Sequence, residues 1–183
     1  MSTSNRRGPV ARFFGPQARH GRTSRLAMVL AACLALSAVG TAHAVEVGEQ
    51  APEISGKDMN GKTVTLSSLR GKVVIVDFMA SWCGPCKESL PSLDKLAKTH
   101  KDLVVIGVSV DEKPENLKTF LKKVHVSFSV VHDNGRVVAS SYEPPKMPTS
   151  FIVDKKGKIR YVHGGFRAGD EKVLEKHVLE LLR

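Results

Sequence analysis

The run Lys72-Val73-Val74-Ile75-Val76-Asp77-Phe78 is almost unbroken in β-branched and apolar residues, and shortly after it the chain reads Trp82-Cys83-Gly84-Pro85-Cys86-Lys87. A strand with apolar residues at consecutive positions has no wet face, so it belongs at the centre of a sheet covered on both sides. The stretch after the first cysteine has helical spacing. Over 84–101, Leu90, Leu93, Leu96 and Ala97 fall on one side and lysines elsewhere, with Pro91 inside the span, where it is expected to kink the helix. The two cysteines therefore occupy a strand-to-helix junction. A covered central strand feeding directly into a helix restricts the chain to a layered α/β architecture.

The rest of the chain fits that restriction. Residues 45–57 read as irregular, and Asp58-Met59-Asn60-Gly61 is a turn signal opening a hairpin into the alternating Thr63-Val64-Thr65-Leu66 strand. Ser67 to Arg70 reads as a helical turn. Leu103 to Ser109 is a second buried strand, and Pro114 opens an amphipathic helix through Leu117, Phe120, Leu121 and Val124, since a first-turn proline lacks only a donor that would have no partner. A third strand is expected over 128–131 and a short helix over 136–142. Thr149 to Val153, the Asp154-Lys155-Lys156-Gly157 turn and Lys158 to His163 make an antiparallel hairpin, and a helix over 170–182 closes the chain. The expected fold is a central mixed β-sheet flanked by helices, with an N-terminal β-hairpin extension.

Residues 1–25 carry six arginines and no acid, Leu26 to Val39 is apolar or small, and Ala42-His43-Ala44 places small residues two apart. A basic stretch, an apolar run too short to favour a spanning helix and an A-x-A site together define a secretory signal peptide. The domain division is therefore 1–44 leader and 45–183 folded domain. An uncleaved membrane anchor is one alternative, and lipidation at Cys33, after Leu30-Ala31-Ala32, is another; Arg6-Arg7 also raises a twin-arginine route. Removing 1–44 leaves 139 of the 183 residues, with 22 of the 28 basic residues and all 18 acids, so the net charge falls from +10 to +4. A charge of that size is an ordinary solvated surface. Lys155, Lys156 and Lys158 have no aromatic interleaving, which argues against nucleic-acid binding.

The cleaved domain keeps only Cys83 and Cys86. Exported proteins commonly use cysteines as staples, but a bridge across two residues closes too small a loop to constrain the unfolded chain much. Chemistry is the better reading. At a helix start, free N–H groups and the positive dipole end favour a thiolate, which makes Cys83 the nucleophile and Cys86, one turn in, the resolving group. Half of a zinc site is the competing reading of a C-x-x-C, and no second cysteine pair or closely spaced histidine pair completes it. The five histidines of the cleaved domain form no ligand spacing and are read as surface or turn residues; Tyr142 and the phenylalanines are read as core.

Val76-Asp77-Phe78 followed by Ala80, Trp82, Cys83, Gly84, Pro85, Cys86 and Lys87 resembles thioredoxin, and the flanking elements resemble its exported TlpA/ResA-type relatives. The resemblance extends over about residues 47–183. It includes Gly48-x-x-Ala51-Pro52, Gly71-Lys72 and the segment Met147-Pro148-Thr149-Ser150-Phe151-Ile152-Val153-Asp154. It implies a thioredoxin-like fold and a Cys83/Cys86 redox disulfide. It also implies a cis Pro148 lying against that disulfide, and a client-binding surface of Trp82, Gly84, Pro85, Met147 and Pro148. Asp77 stands out by itself, because Asp is disfavoured in strands and costly to bury unpaired. The resemblance implies that it takes the proton from Cys86; a polar residue satisfied near the strand end is the alternative. Glu143-Pro144-Pro145 and Met79, where relatives carry Trp, depart from the family pattern.

The implied activity is that of a thiol–disulfide oxidoreductase without cofactor or metal, exported to the periplasm or an equivalent extracytoplasmic space. The expectation is that it reduces protein clients, for example in cytochrome c biogenesis or copper-centre assembly. Its electrons would come from a membrane-embedded thiol reductase, and the protein itself is expected to be a monomer. A disulfide oxidant or isomerase is the same chemistry reversed. A peroxiredoxin, with antioxidant activity, would need Pro and Thr ahead of its reactive cysteine, where this chain has Phe78-Met79-Ala80-Ser81-Trp82. A copper chaperone would space its cysteines three apart.

Overall fold

The computed structural model describes residues 45–183. The expected leader, its Ala42–Ala44 cleavage site and Cys33 lie outside the described residues. Strands β1 (Ser55–Lys57) and β2 (Thr63–Thr65) form the antiparallel N-terminal hairpin, so the stretch read as irregular holds the first strand. Five further strands make the main sheet: β3 (Val73–Met79), β4 (Leu103–Ser109), β5 (Ser129–His132), β6 (Thr149–Val153) and β7 (Ile159–Gly164), in the order β5-β4-β3-β6-β7. β3, β4 and β5 run parallel, and β6 and β7 add antiparallel to them. This is the mixed central sheet expected from the sequence.

Helices α1 (Cys86–Thr99), α2 (Pro114–Val124), α3 (Val137–Tyr142) and α4 (Asp170–Leu182) cover the two faces. All seven residues of β3 are buried, as a central strand requires. Its alternate side chains enter two separate cores. Val74, Val76 and Phe78 pack with Leu117 and Phe120 of α2, Ala139 and Tyr142 of α3, and Ile54, Val64 and Leu66 from the hairpin region. Val73 and Ile75 pack with Leu93 and Leu96 of α1 and Leu174 and Val178 of α4. Asp77 shares the second of these faces, the one roofed by α1.

Tyr142, fully buried, joins Phe78 and Phe151 in a three-ring cluster and donates its hydroxyl to the Pro52 carbonyl at 2.7 Å. The hairpin is fastened to the outer edge of β5 by an antiparallel bridge between Asp58 and Val131 and by the Met59 N–H donating to Val130 O. A few residues earlier, the Gly48 N–H donates to Ile159 O and the Ile159 N–H to Glu49 O, beside a bridge from Gln50 to Lys158, so this segment lies against the start of β7.

Candidate active site

β3 ends at Met79, and the turn after it carries the cysteines to the first residue of α1. Helix α1 starts at Cys86 rather than at Gly84, because Gly84 and Pro85 form a turn whose carbonyls accept the N–H groups of Lys87 and Glu88. Cys83 is thus not at the helix start, where the sequence placed it; it stands three residues before the helix. Its sulfur still takes a helix-end donor, the Cys86 N–H at 3.3 Å. Cys83 and Cys86 are joined as a disulfide with Cα atoms 5.4 Å apart. Cys83 is 4% exposed and Cys86 fully buried, while Trp82 beside them is 66% exposed and Gly84 and Pro85 are exposed as well. Pro91 sits inside α1 without ending it.

The loop between Met79 and Cys83 is held from the neighbouring strand. Asp111, just past β4 and buried, receives the Ser81 hydroxyl at 2.6 Å and the Ser81 N–H at 3.0 Å, and its carboxylate also receives the Ser109 hydroxyl at 2.8 Å. The His132 ring hydrogen-bonds the Asp111 carbonyl at 2.7 Å. The sequence reading missed this carboxylate. Its signal was an acid two residues past a buried strand, between Ser109-Val110 and Glu112.

Asp77 lies opposite Ser150 of β6 and accepts the Ser150 hydroxyl at 2.6 Å; its second carboxylate oxygen, also buried, has no hydrogen-bond partner among the described residues. Burial pushes the carboxyl pKa up to about 7, with the Ser150 hydroxyl opposing. The Met147–Pro148 peptide is cis, Pro148 is buried, and its carbonyl accepts the Gly165 N–H at 2.7 Å. Met147 is half-buried and packs against the core cluster that contains both cysteines.

The histidines are less peripheral than expected. His132 and His163 lie within β5 and β7, and His177 of α4 stacks on Tyr161 with ring centroids 3.9 Å apart. Only His100 and His125 occupy helix ends.

A paired C-x-x-C at the end of the central strand, with a buried carboxyl in that strand and a cis proline before β6, defines a thiol–disulfide oxidoreductase of thioredoxin-like fold. Sequence comparison agrees: the chain belongs to the AhpC/TSA family, whose profile matches residues 47–162. It is 32% identical over 117 residues to the thiol-disulfide oxidoreductase ResA of Bacillus cereus, an alignment covering 63% of this chain and 68% of that protein. Among solved structures it is similar to one from Chlorobium tepidum assigned as a thiol:disulfide interchange protein DsbE. The TM-score is 0.73 at 35% identity, covering 76% of this chain and 100% of the other. A structure from Bacteroides thetaiotaomicron assigned as a protein disulfide isomerase gives a TM-score of 0.69 at 33% identity, over 75% and 91% of the two chains.

Proposed function

We propose that the chain works as an exported reductant of protein disulfides. In the reduced state the Cys83 thiolate attacks one sulfur of a client disulfide, which forms a mixed disulfide and releases the client's other sulfur as a thiolate. Cys86 then gives up its proton and attacks the Cys83 sulfur. The second client thiolate leaves, and the domain is left with its Cys83–Cys86 disulfide while the client has gained two electrons. Asp77 is the acceptor of the Cys86 proton in this scheme. It is the buried carboxyl of the strand that leads into the Cys83–Cys86 turn, and a pKa near 7 suits proton exchange at neutral pH. Trp82, Gly84, Pro85, Met147 and Pro148 make the surface on which the client docks.

The observation that carries the reducing direction is how little holds the Cys83 sulfur. It accepts one N–H, from Cys86, and no cationic side chain reaches it among the described residues, while Glu88 stands in the first turn of α1. A weakly stabilised thiolate favours the disulfide and so lowers the reduction potential. Lys87 pulls the other way, from an exposed position. Equilibration against glutathione, read by Trp82 fluorescence, measures the potential directly. A value near about −270 mV is expected, and one at or above about −180 mV would overturn the reductant in favour of an oxidant or isomerase, the reading that the Bacteroides likeness favours.

Residues 1–44 act as a cleaved leader, so exported protein should begin at Val45 by intact mass; an N-terminus at a lipidated Cys33 would refute it. A Cys86→Ser variant should trap clients as mixed disulfides through Cys83, and the donor that re-reduces the pair is a membrane-embedded thiol reductase. Brief alkylation of the reduced protein at mildly acidic pH should label Cys83 alone. Labelling of Cys86 in preference would reverse the two roles.

A further inference from the structure

The loop before Pro148 carries a lysine in an unusual setting. Gly164 and Gly165, at the end of β7, stand beside Pro148, since the Gly165 N–H donates to the Pro148 carbonyl. Neither glycine has a side chain to fill the space over it, and the Lys146 stem occupies that space. A Cβ on Gly164 would come within 3.0 Å of Lys146 Cε, and one on Gly165 within 3.4 Å of Cε and 3.5 Å of Nζ. The base of the loop is tied down as well, because the Thr149 hydroxyl donates to the Lys146 carbonyl at 2.7 Å.

The ammonium at the end of this stem has no acidic partner among the described residues, and Glu143, at the far side of Pro144 and Pro145, does not pair with it. A lysine free to wander would lose little by staying in water. This one is laid along two glycines, one residue before Met147, and holds its charge at the rim of a surface whose other members, Trp82, Gly84, Pro85, Met147 and Pro148, are all uncharged. A client segment docking there meets the Lys146 charge on the Pro148 side of the site, across from Lys87 at the start of α1.

We propose that Lys146 is a specificity-determining residue, selecting client segments that carry an acidic side chain close to the reacting cysteine. This rests on the docking surface assigned above. The charge acts on encounter and on the lifetime of the docked complex, and leaves the thiol exchange itself unchanged. One exposed ion pair supports a preference of about two- to five-fold, larger at low salt.

The test uses two peptides with the same internal disulfide, one flanked by aspartates and one by lysines, each reduced in single turnover by the fully reduced protein. The wild type should reduce the acidic peptide faster by about two- to five-fold. Lys146→Arg should keep that ratio, Lys146→Gln should level it and Lys146→Glu should invert it, with the reduction potential the same in all four proteins. A ratio indifferent to the charge at position 146 overturns the proposal. Pro148→Ala should slow both peptides alike. Unchanged rates in that variant would remove the docking surface, and the specificity with it, whereas a slowed pair with an unmoved ratio condemns Lys146 alone.

Discussion

Two buried carboxylates of this domain are kept under opposite conditions. Asp58, in the hairpin turn, would be raised by burial. The Ser129 hydroxyl and the Asn60 and Lys62 N–H groups, together with the Lys62 charge, instead hold its pKa below the ordinary value. Asp77, in the central strand, has one hydroxyl for a donor and rises to about 7. Both are acids taken out of water, and the supply of donors decides which keeps its charge. The hairpin uses a carboxylate for architecture. The central strand leaves one carboxylate oxygen without a donor among the described residues, which is the condition under which a carboxyl exchanges protons at neutral pH.

The comparison breaks most visibly at Asp77. Asp77→Asn should slow resolution of the mixed disulfide by about 100-fold, the lower end of what a positioned base supplies, and leave the first attack unchanged. Stopped-flow traces with equal slowing of both steps would deny the proton-acceptor role. The same variant should alter stability in a pH-dependent way. Between about pH 4 and 7 the folded state keeps a proton that the unfolded chain has released, so stability falls as pH rises through that window. Above pH 7 the whole cost is present, at most about 4 kcal/mol for a shift of about three units, and the Asn variant should recover much of it. Urea titrations at pH 5 and pH 8 report the slope.

Asp58→Ala should lose about 3 kcal/mol by stranding Ser129 and two N–H groups, yet leave the alkylation rate of Cys83 as it was. Its contribution has the opposite pH sense, present above the unfolded value near 4 and lost in acid. A change in thiol reactivity would mean that the hairpin reaches the site. Asp111→Asn, a third buried acid with donors of its own, is expected to cost about 1–2 kcal/mol through weakened bonds to Ser81 and Ser109. Thermal melts should show a smaller loss than for Asp58→Ala. The smallest effect belongs to Ser150→Ala, which removes the lone donor to Asp77 and should move its titration upward by less than about one unit. A downward movement would show that the Ser150 hydroxyl does not favour the charged carboxylate.

Much of this is legible along the chain. β4 over 103–109 and α4 over 170–182 have the bounds expected of them, because each is a continuous pattern with clear ends. Boundaries slip where turns intervene: α1 loses Gly84 and Pro85 to a turn, and α3 begins at Val137 after Gly135 and Arg136 adopt left-handed angles. The cysteines and Asp77 stand out because each is anomalous in its own short stretch, and Pro148 through the family resemblance. The partners of the acids do not, since Ser129 lies 71 residues from Asp58 and Ser81 lies 30 from Asp111. Lys146 escapes notice for the same reason. Nothing local distinguishes a lysine lying across two glycines from one in open water.

The stretch from Gly48 to Met59 touches both outer strands of the main sheet, β7 at its start and β5 along Val130 and Val131. An uncovered strand edge is a template on which other chains polymerise. By occupying part of each edge with its own backbone, this domain narrows the opportunity for sheet-to-sheet growth. A domain built this way presents less free edge on which a neighbouring chain could grow.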